Sequence, residues 1–286
     1  MMKLRSFLTF SGPSIISMVL LMTAPLIMTL YLSMYRFNFK GNLRWVGLDN
    51  YIDILSDPEF WLAFEFTFVY TITVTLSVLV FGFLIALALN RLQGKIRAFF
   101  MAATLLPFVV TPVVGTLIFS WLFQDFGYLT YLLNLMGIEI YWFSDTLESR
   151  TLIILYGIWQ VTPFAAIVFF AGLQAIPQDT LESSLLDGAH SWDQIKHVVV
   201  PAIQPLILFV SMICIMDAYR LFDAVAIMTG GLNNTETLMY YNYRVGIVQD
   251  AVAKGSAVSV LTMIGIFIFL IPFLYLTYKE QKGIRQ

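Results

Sequence analysis

The stretch 174-QAIPQDTLESSLLDGAHSWDQIKHVVVPAIQP-205 joins two long apolar blocks and is far longer than a simple turn between them requires. Pro177 removes a backbone donor and ends the preceding helix. Asp179 and Glu182 then stand at capping-box spacing, with Asp in place of the usual Ser or Thr. Leu181, Leu185 and Ala189 recur every four residues, an apolar stripe opposite Glu182 and Ser183, so the spacing predicts a short amphipathic helix. Gly188 supplies a left-handed stop. Ser191 and Gln194 form a second capping box, Ile195 and three valines follow, and Pro201 sits where a transmembrane helix can begin. Two helices of about eight residues fall below the roughly 12 to 15 needed to stand alone in water. They must therefore pack on something. A partner protein is one reading, and the headgroups or helix ends of the same domain are the other.

Outward from this loop the chain is dominated by apolar runs. Of 286 residues, 59% are hydrophobic and 12% charged, and the mean hydropathy is +0.81. Charge at about half the roughly 25% of a soluble domain leaves too little polar surface to cover a water-soluble globule. Six windows reach the roughly 20 apolar residues that a bilayer crossing needs: about 12–35, 66–89, 99–122, 151–173, 202–224 and 256–278. The first follows Lys3 and Arg5 but runs past the length of a secretory signal core, so it is read as an uncleaved helix. No repeat or long polar linker divides the chain, which is expected to be a single all-α polytopic membrane domain over 1–286. A net charge of −2 offers no basic field for nucleic acid. The single cysteine, Cys214, and two histidines are too few for a thiolate cluster or most metal sites, so no metal is expected.

An even number of spans puts both termini on one side. The termini, the 90–98 loop and the 174–200 loop carry nine basic residues, against seven in the longer segments opposite (Arg36, Lys40, Arg44, Arg150, Arg220, Arg244 and Lys254). The density of basic residues places the termini and the 174–200 loop in the cytoplasm.

Ionisable groups inside a span are functional candidates, since a charge at mid-membrane costs roughly 2.5 to 3.5 kcal/mol on insertion scales. Asp217, Arg220 and Asp223 lie three apart on one face of the fifth window, where Arg220 can pair with either acid. They either rim a translocation cavity or form a structural ion pair at the water interface. Trp159, Gln160 and Tyr219 are the other path candidates, because sugars stack their C–H faces on aromatic rings and hydrogen-bond through their hydroxyls. Pro107, Pro112 and Pro163 are read as kinks within spans.

The loop resembles the cytoplasmic signature of permease subunits of binding-protein-dependent ABC importers, with Glu182, Gly188 and Pro201 in step and Asp187-Gly188-Ala189 inside the fuller phrase. Ser183 and Ser184 stand where two alanines are usual. The remainder is similar to the sugar-importing, maltose and glycerol-phosphate type: Val46 to Tyr51, Leu106-Pro107, Gly157-Ile158-Trp159, Ala171 to Pro177, and Phe222-Asp223 through Gly231 follow its habits.

The resemblance implies a type I importer permease fold of six transmembrane helices with cytoplasmic coupling helices. It implies a bacterial or archaeal inner-membrane protein that is not itself an enzyme and holds no cofactor. The implied partners are a sister permease in a heterodimer, two ATPase subunits that bind ATP and Mg, an extracytoplasmic solute-binding protein, a sugar substrate and membrane lipid. The implied coupling residues are Leu181, Glu182, Leu185, Asp187, Gly188, Ala189, Ser191, Ile195 and Pro201. No Gly-x-x-x-x-Gly-Lys-Ser/Thr loop is present, so the energy has to come from another chain. A permease for a polyamine, phosphate or metal shares the loop, and an ion-coupled secondary transporter would need a mid-span coupling acid.

Overall fold

The computed structural model describes residues 4–36, 43–186 and 188–283; expectations placed on Lys3, Lys40, Asp187 and Arg285 lie outside the described residues. Among the described residues, five helices are long and apolar enough to cross a membrane: Phe10–Leu32, Pro58–Arg91, Thr146–Gln174, Ser191–Tyr219 and Val252–Lys279. A sixth crossing arises only if Gly94–Val109 and the segment from Pro112 are taken as one bent span, with 100° between its arms. The single helix expected over 99–122 is thus split. Thr111 precedes a proline, whose ring disfavours the helical region for the residue before it. Val110 and Thr111 accordingly take extended backbone angles, with ψ of 131° and 144°. Pro112 then opens the next helix, Pro112–Phe123, where its missing donor costs nothing.

The chain divides into two compact units, residues 1–61 with 241–265, and residues 62–240 with 266–286. In the first unit a two-residue antiparallel pairing of Tyr35–Arg36 with Arg44–Trp45 follows the first span. Asn50, 3% exposed, opens out of the helix Asp49–Leu55 and donates to the carbonyls of Ser33 at 2.8 Å and Tyr35 at 2.7 Å. The Tyr51 hydroxyl meets Ser33 Oγ at 2.6 Å. Two otherwise orphaned carbonyls at the end of the first span are thereby satisfied. Further along the unit, the Tyr241 hydroxyl donates to Asp57 at 2.7 Å, and Arg244 pairs with Glu59 at 2.7 Å.

The second unit holds the core. Phe66, Val74, Val78, Leu152, Ile153, Phe169, Ile203 and Val210 are all buried to within a few per cent. Small residues let the spans approach: a Cβ built on Gly82 would lie 2.6 Å from the Ala165 Cβ, and one on Gly157 would collide with the Tyr70 hydroxyl. Such contacts draw helices together by dispersion where lipid tails offer no hydrophobic drive. Arg150 locks one end of the unit. Its guanidinium is bidentate to Glu65 at 3.1 and 2.8 Å, its Nε donates to the Asn234 carbonyl at 2.8 Å, and it lies 4.9 Å over the Phe66 ring.

Candidate functional site

The loop folds as one short helix and one long one. Gln178–Leu186 forms the first. The chain then turns at Gly188, whose φ of +83° suits a residue without Cβ, and whose N–H returns to the Leu185 carbonyl at 3.0 Å. The expected second short helix does not stop. Ser191 begins a helix that continues through Pro201 to Tyr219. A π turn over Ile195–Val199 widens the ring, so Val200 N–H bonds five residues back to Ile195 and the chain passes the donorless Pro201 without a break. The second cap also differs from expectation: Asp193, not Gln194, accepts the N–H of the capping residue, His190, at 3.2 Å.

Gln194 is instead used across the loop. Its amide nitrogen donates to the Leu181 carbonyl at 3.1 Å and to Ser184 Oγ at 2.9 Å, while Ser184 donates to the same Leu181 carbonyl at 2.7 Å. Leu181 packs against the buried core. Leu185, Leu186 and Trp192 point away from it, 59, 90 and 71% exposed. The apolar surface offered outward is therefore the tip Leu185, Leu186 and Trp192 rather than the expected stripe through Leu181 and Ala189, which is half-buried. Glu182, Ser191 and Pro201 are exposed, and Ile195 is half-buried.

A second feature lies within the same unit. The break at Val110 and Pro112, the middle of the Thr146–Gln174 helix and the end of the Ser191–Tyr219 helix border an open-sided cavity of about 570 Å3. Phe108 and Phe164 stack along one wall with ring centres 5.8 Å apart. The Tyr156 hydroxyl donates to the Pro112 carbonyl at 2.9 Å and fixes the broken span against its neighbour. At the other wall the helix ends at Tyr219, residues 220–222 leave helical geometry, and helix resumes at Asp223. Thr237 Oγ1 donates to the Leu221 carbonyl exposed by that break at 2.7 Å.

Four of the expected path residues line this cavity: Gln160, Asp217, Arg220 and Asp223. Arg220 pairs with Asp217 at 3.2 Å, both more than half exposed. Asp223 stands past the break, so the three do not share one continuous helix face. Trp159 and Tyr219 are not in the lining. Trp159 packs 5.6 Å from Phe119, and Tyr219, 1% exposed, sits edge-on to Phe269 at 5.6 Å. The rings that do line it, Tyr70, Phe108, Tyr156, Phe164 and Phe222, were hidden in the sequence among other apolar residues; Thr111-Pro112 was the signal for the break beside Phe108. Aromatic faces beside carboxylates, an amide and a guanidinium form a lining able to stack C–H surfaces and to accept and donate hydroxyl hydrogen bonds. Among the described residues no group of three or more potential ligands is placed to hold a metal ion.

The family model described as binding-protein-dependent transport system inner membrane component matches residues 48–282. The trehalose/maltose transport system permease protein of Thermococcus litoralis is 29% identical over 258 residues, covering 87% of this chain and 86% of that protein. The trehalose transport system permease protein of Mycobacterium tuberculosis is 30% identical over 255 residues, covering 87% and 81%. A chain from the crystal structure of a bacterial ABC transporter involved in import of the acidic polysaccharide alginate superposes with a TM-score of 0.82 at 21% identity, covering 96% of each chain.

Proposed function

The chain belongs to the family of binding-protein-dependent transport system inner membrane components, and from that premise we propose that it forms half of the translocation path of an ATP-driven importer for a sugar or sugar derivative. A sister permease completes the path, a solute-binding protein delivers substrate from outside, and two separate ATPase subunits bind ATP and Mg. The termini and the 174–200 loop face the cytoplasm.

The observation that carries this reading is the apolar tip of Leu185, Leu186 and Trp192, exposed at the end of a helix pair. Exposed apolar area of this kind, flanked by Glu182 and Lys196, suits insertion into a groove of a partner. The helix beginning beside Trp192 runs on to Asp217 in the cavity wall, so docking at the tip and access to the cavity belong to one rigid-body transition. The names of the curated relatives and the ring-lined cavity both support a saccharide as the solute.

The test is reconstitution of the chain with sister permease, ATPases and binding protein in proteoliposomes. ATP-dependent saccharide uptake is expected, together with crosslinking of a photoreactive side chain at position 186 to the ATPase. Uptake that persists without ATP under an ion gradient would overturn the reading.

A further inference from the structure

The cavity described above carries two carboxylates, Asp217 and Asp223, and one guanidinium, Arg220. Arg220 is engaged by Asp217 at 3.2 Å. Asp223 is half-buried and, among the described residues, has no ion pair. A cavity walled by apolar rings focuses the field of such a charge, because the low-dielectric walls screen it less than open water does. The same lining holds groups that answer hydroxyls rather than charges. Gln160 offers an amide. Tyr70 is 3% exposed, lines the cavity, and its hydroxyl has no hydrogen-bond partner among the described residues. A hydroxyl in the lining can give or take one hydrogen bond with a ligand's polar atom.

We propose that Asp223 gives this cavity a net negative sign, so that the path admits neutral saccharides and turns away anionic ones, with the Tyr70 hydroxyl taking one hydrogen bond from the passing solute. The proposal rests on the saccharide reading above and narrows it. Arg220, which by sequence alone invites an acidic sugar, is neutralised by its own neighbour. An approaching uronate, sulfate or phosphate meets an uncompensated carboxylate; a neutral saccharide offers hydroxyls that the carboxylate accepts and C–H faces that Phe108 and Phe164 stack upon.

The sign of the cavity is read without knowing the solute. In a Cys214→Ala background, with cysteine-free partner subunits in the assembled transporter, Met239→Cys places a thiol in the lining. Rates of modification by methanethiosulfonates bearing a trimethylammonium or a sulfonate are compared after each is divided by its rate with free cysteine. The cationic reagent is expected to react about tenfold faster, and Asp223→Asn is expected to reduce that ratio at least about threefold. Gln160→Cys repeats the measurement if the first position labels slowly. A ratio at or below one, a ratio that ignores Asp223→Asn, or failure of both positions to label overturns the proposal. Uptake separates it from the reading beneath it. Transport of a diamine and of no saccharide would refute the solute class while leaving the sign of the cavity intact. Oligouronate uptake matching that of a neutral oligosaccharide of equal length would overturn the selectivity alone.

Discussion

Replacing Gln194 by alanine removes the two hydrogen bonds that hold the short loop helix against the start of the long one, at 3.1 Å to Leu181 and 2.9 Å to Ser184. Each hydrogen bond of this kind is worth about 0.5 to 1.5 kcal/mol net. Both lie in partly buried surroundings, and water replaces part of what is lost, so a total of about 1 to 2 kcal/mol is expected. Gln178–Leu186 spans nine residues, too short to persist undocked. The loss therefore appears as local opening, which amide hydrogen exchange measures directly. At about 0.6 kcal/mol per RT, the amides of residues 181–186 should exchange roughly 5- to 30-fold faster in the nucleotide-free assembled transporter. Ser184→Ala removes one of the two Gln194 bonds, together with the Ser184 bond to the Leu181 carbonyl inside the short helix, but leaves the Gln194 bond to that carbonyl, so exchange over 181–186 should rise less than in Gln194→Ala. Uptake per ATP hydrolysed should fall in Gln194→Ala, because the tip no longer presents one orientation to its partner. Exchange over 181–186 that stays within twofold of the parent would refute the claim that this amide braces the loop.

Gly188→Ala forces a Cβ into a left-handed backbone with φ of +83° at a cost of about 1 to 2 kcal/mol; uptake should fall more than ATP hydrolysis in a paired assay. Gly82→Leu pushes a side chain into the Ala165 Cβ and the backbone nitrogen of Ala166, at 2.6 and 3.1 Å, and over-packing of this order destabilises by about 1 to 3 kcal/mol. Its thermal midpoint should drop by several degrees, while Gly12→Leu, with nothing within 4 Å of the added atom, should leave the midpoint in place. Arg150→Met strands Glu65 and the Asn234 carbonyl, and because Glu65 is half exposed the loss should be about 1 to 3 kcal/mol. Adding Glu65→Gln should then recover part of it in a double-mutant cycle.

The long apolar blocks were legible because a bilayer imposes one length on every crossing and leaves few other uses for such composition. The broken third span was not, because window hydropathy averages over Val110 and Thr111 while the constraint that splits the helix is the local clash of a residue with the proline after it. At the loop, Gly188 and the short helix before it follow from local chemistry. The continuation through Pro201 does not, since it depends on a π turn that no spacing rule announces. The role of Gln194 was equally out of reach: its partners Leu181 and Ser184 are 13 and 10 residues away and meet it only once Gly188 has reversed the chain. The charged triad was found by type, and its pairing was only half read. Spacing by threes assumed one helix to residue 224, whereas the backbone leaves the helix after Tyr219 and separates Asp223 from the pair before it.

The helix Ser191–Tyr219 has 29 residues, about 42 Å at 1.5 Å per residue. A stiff shaft of that length turns a small tilt at its base into a large excursion at its head: 5° becomes about 3.7 Å, more than the width of a water molecule. Trp192 and Asp217 stand near its two ends, so a nudge at one is felt at the other with no chain of intermediary side chains to carry it. Mutational scans in search of a relay through the bilayer should come back flat along the lipid-facing side of this shaft, and sharp only where something bends it.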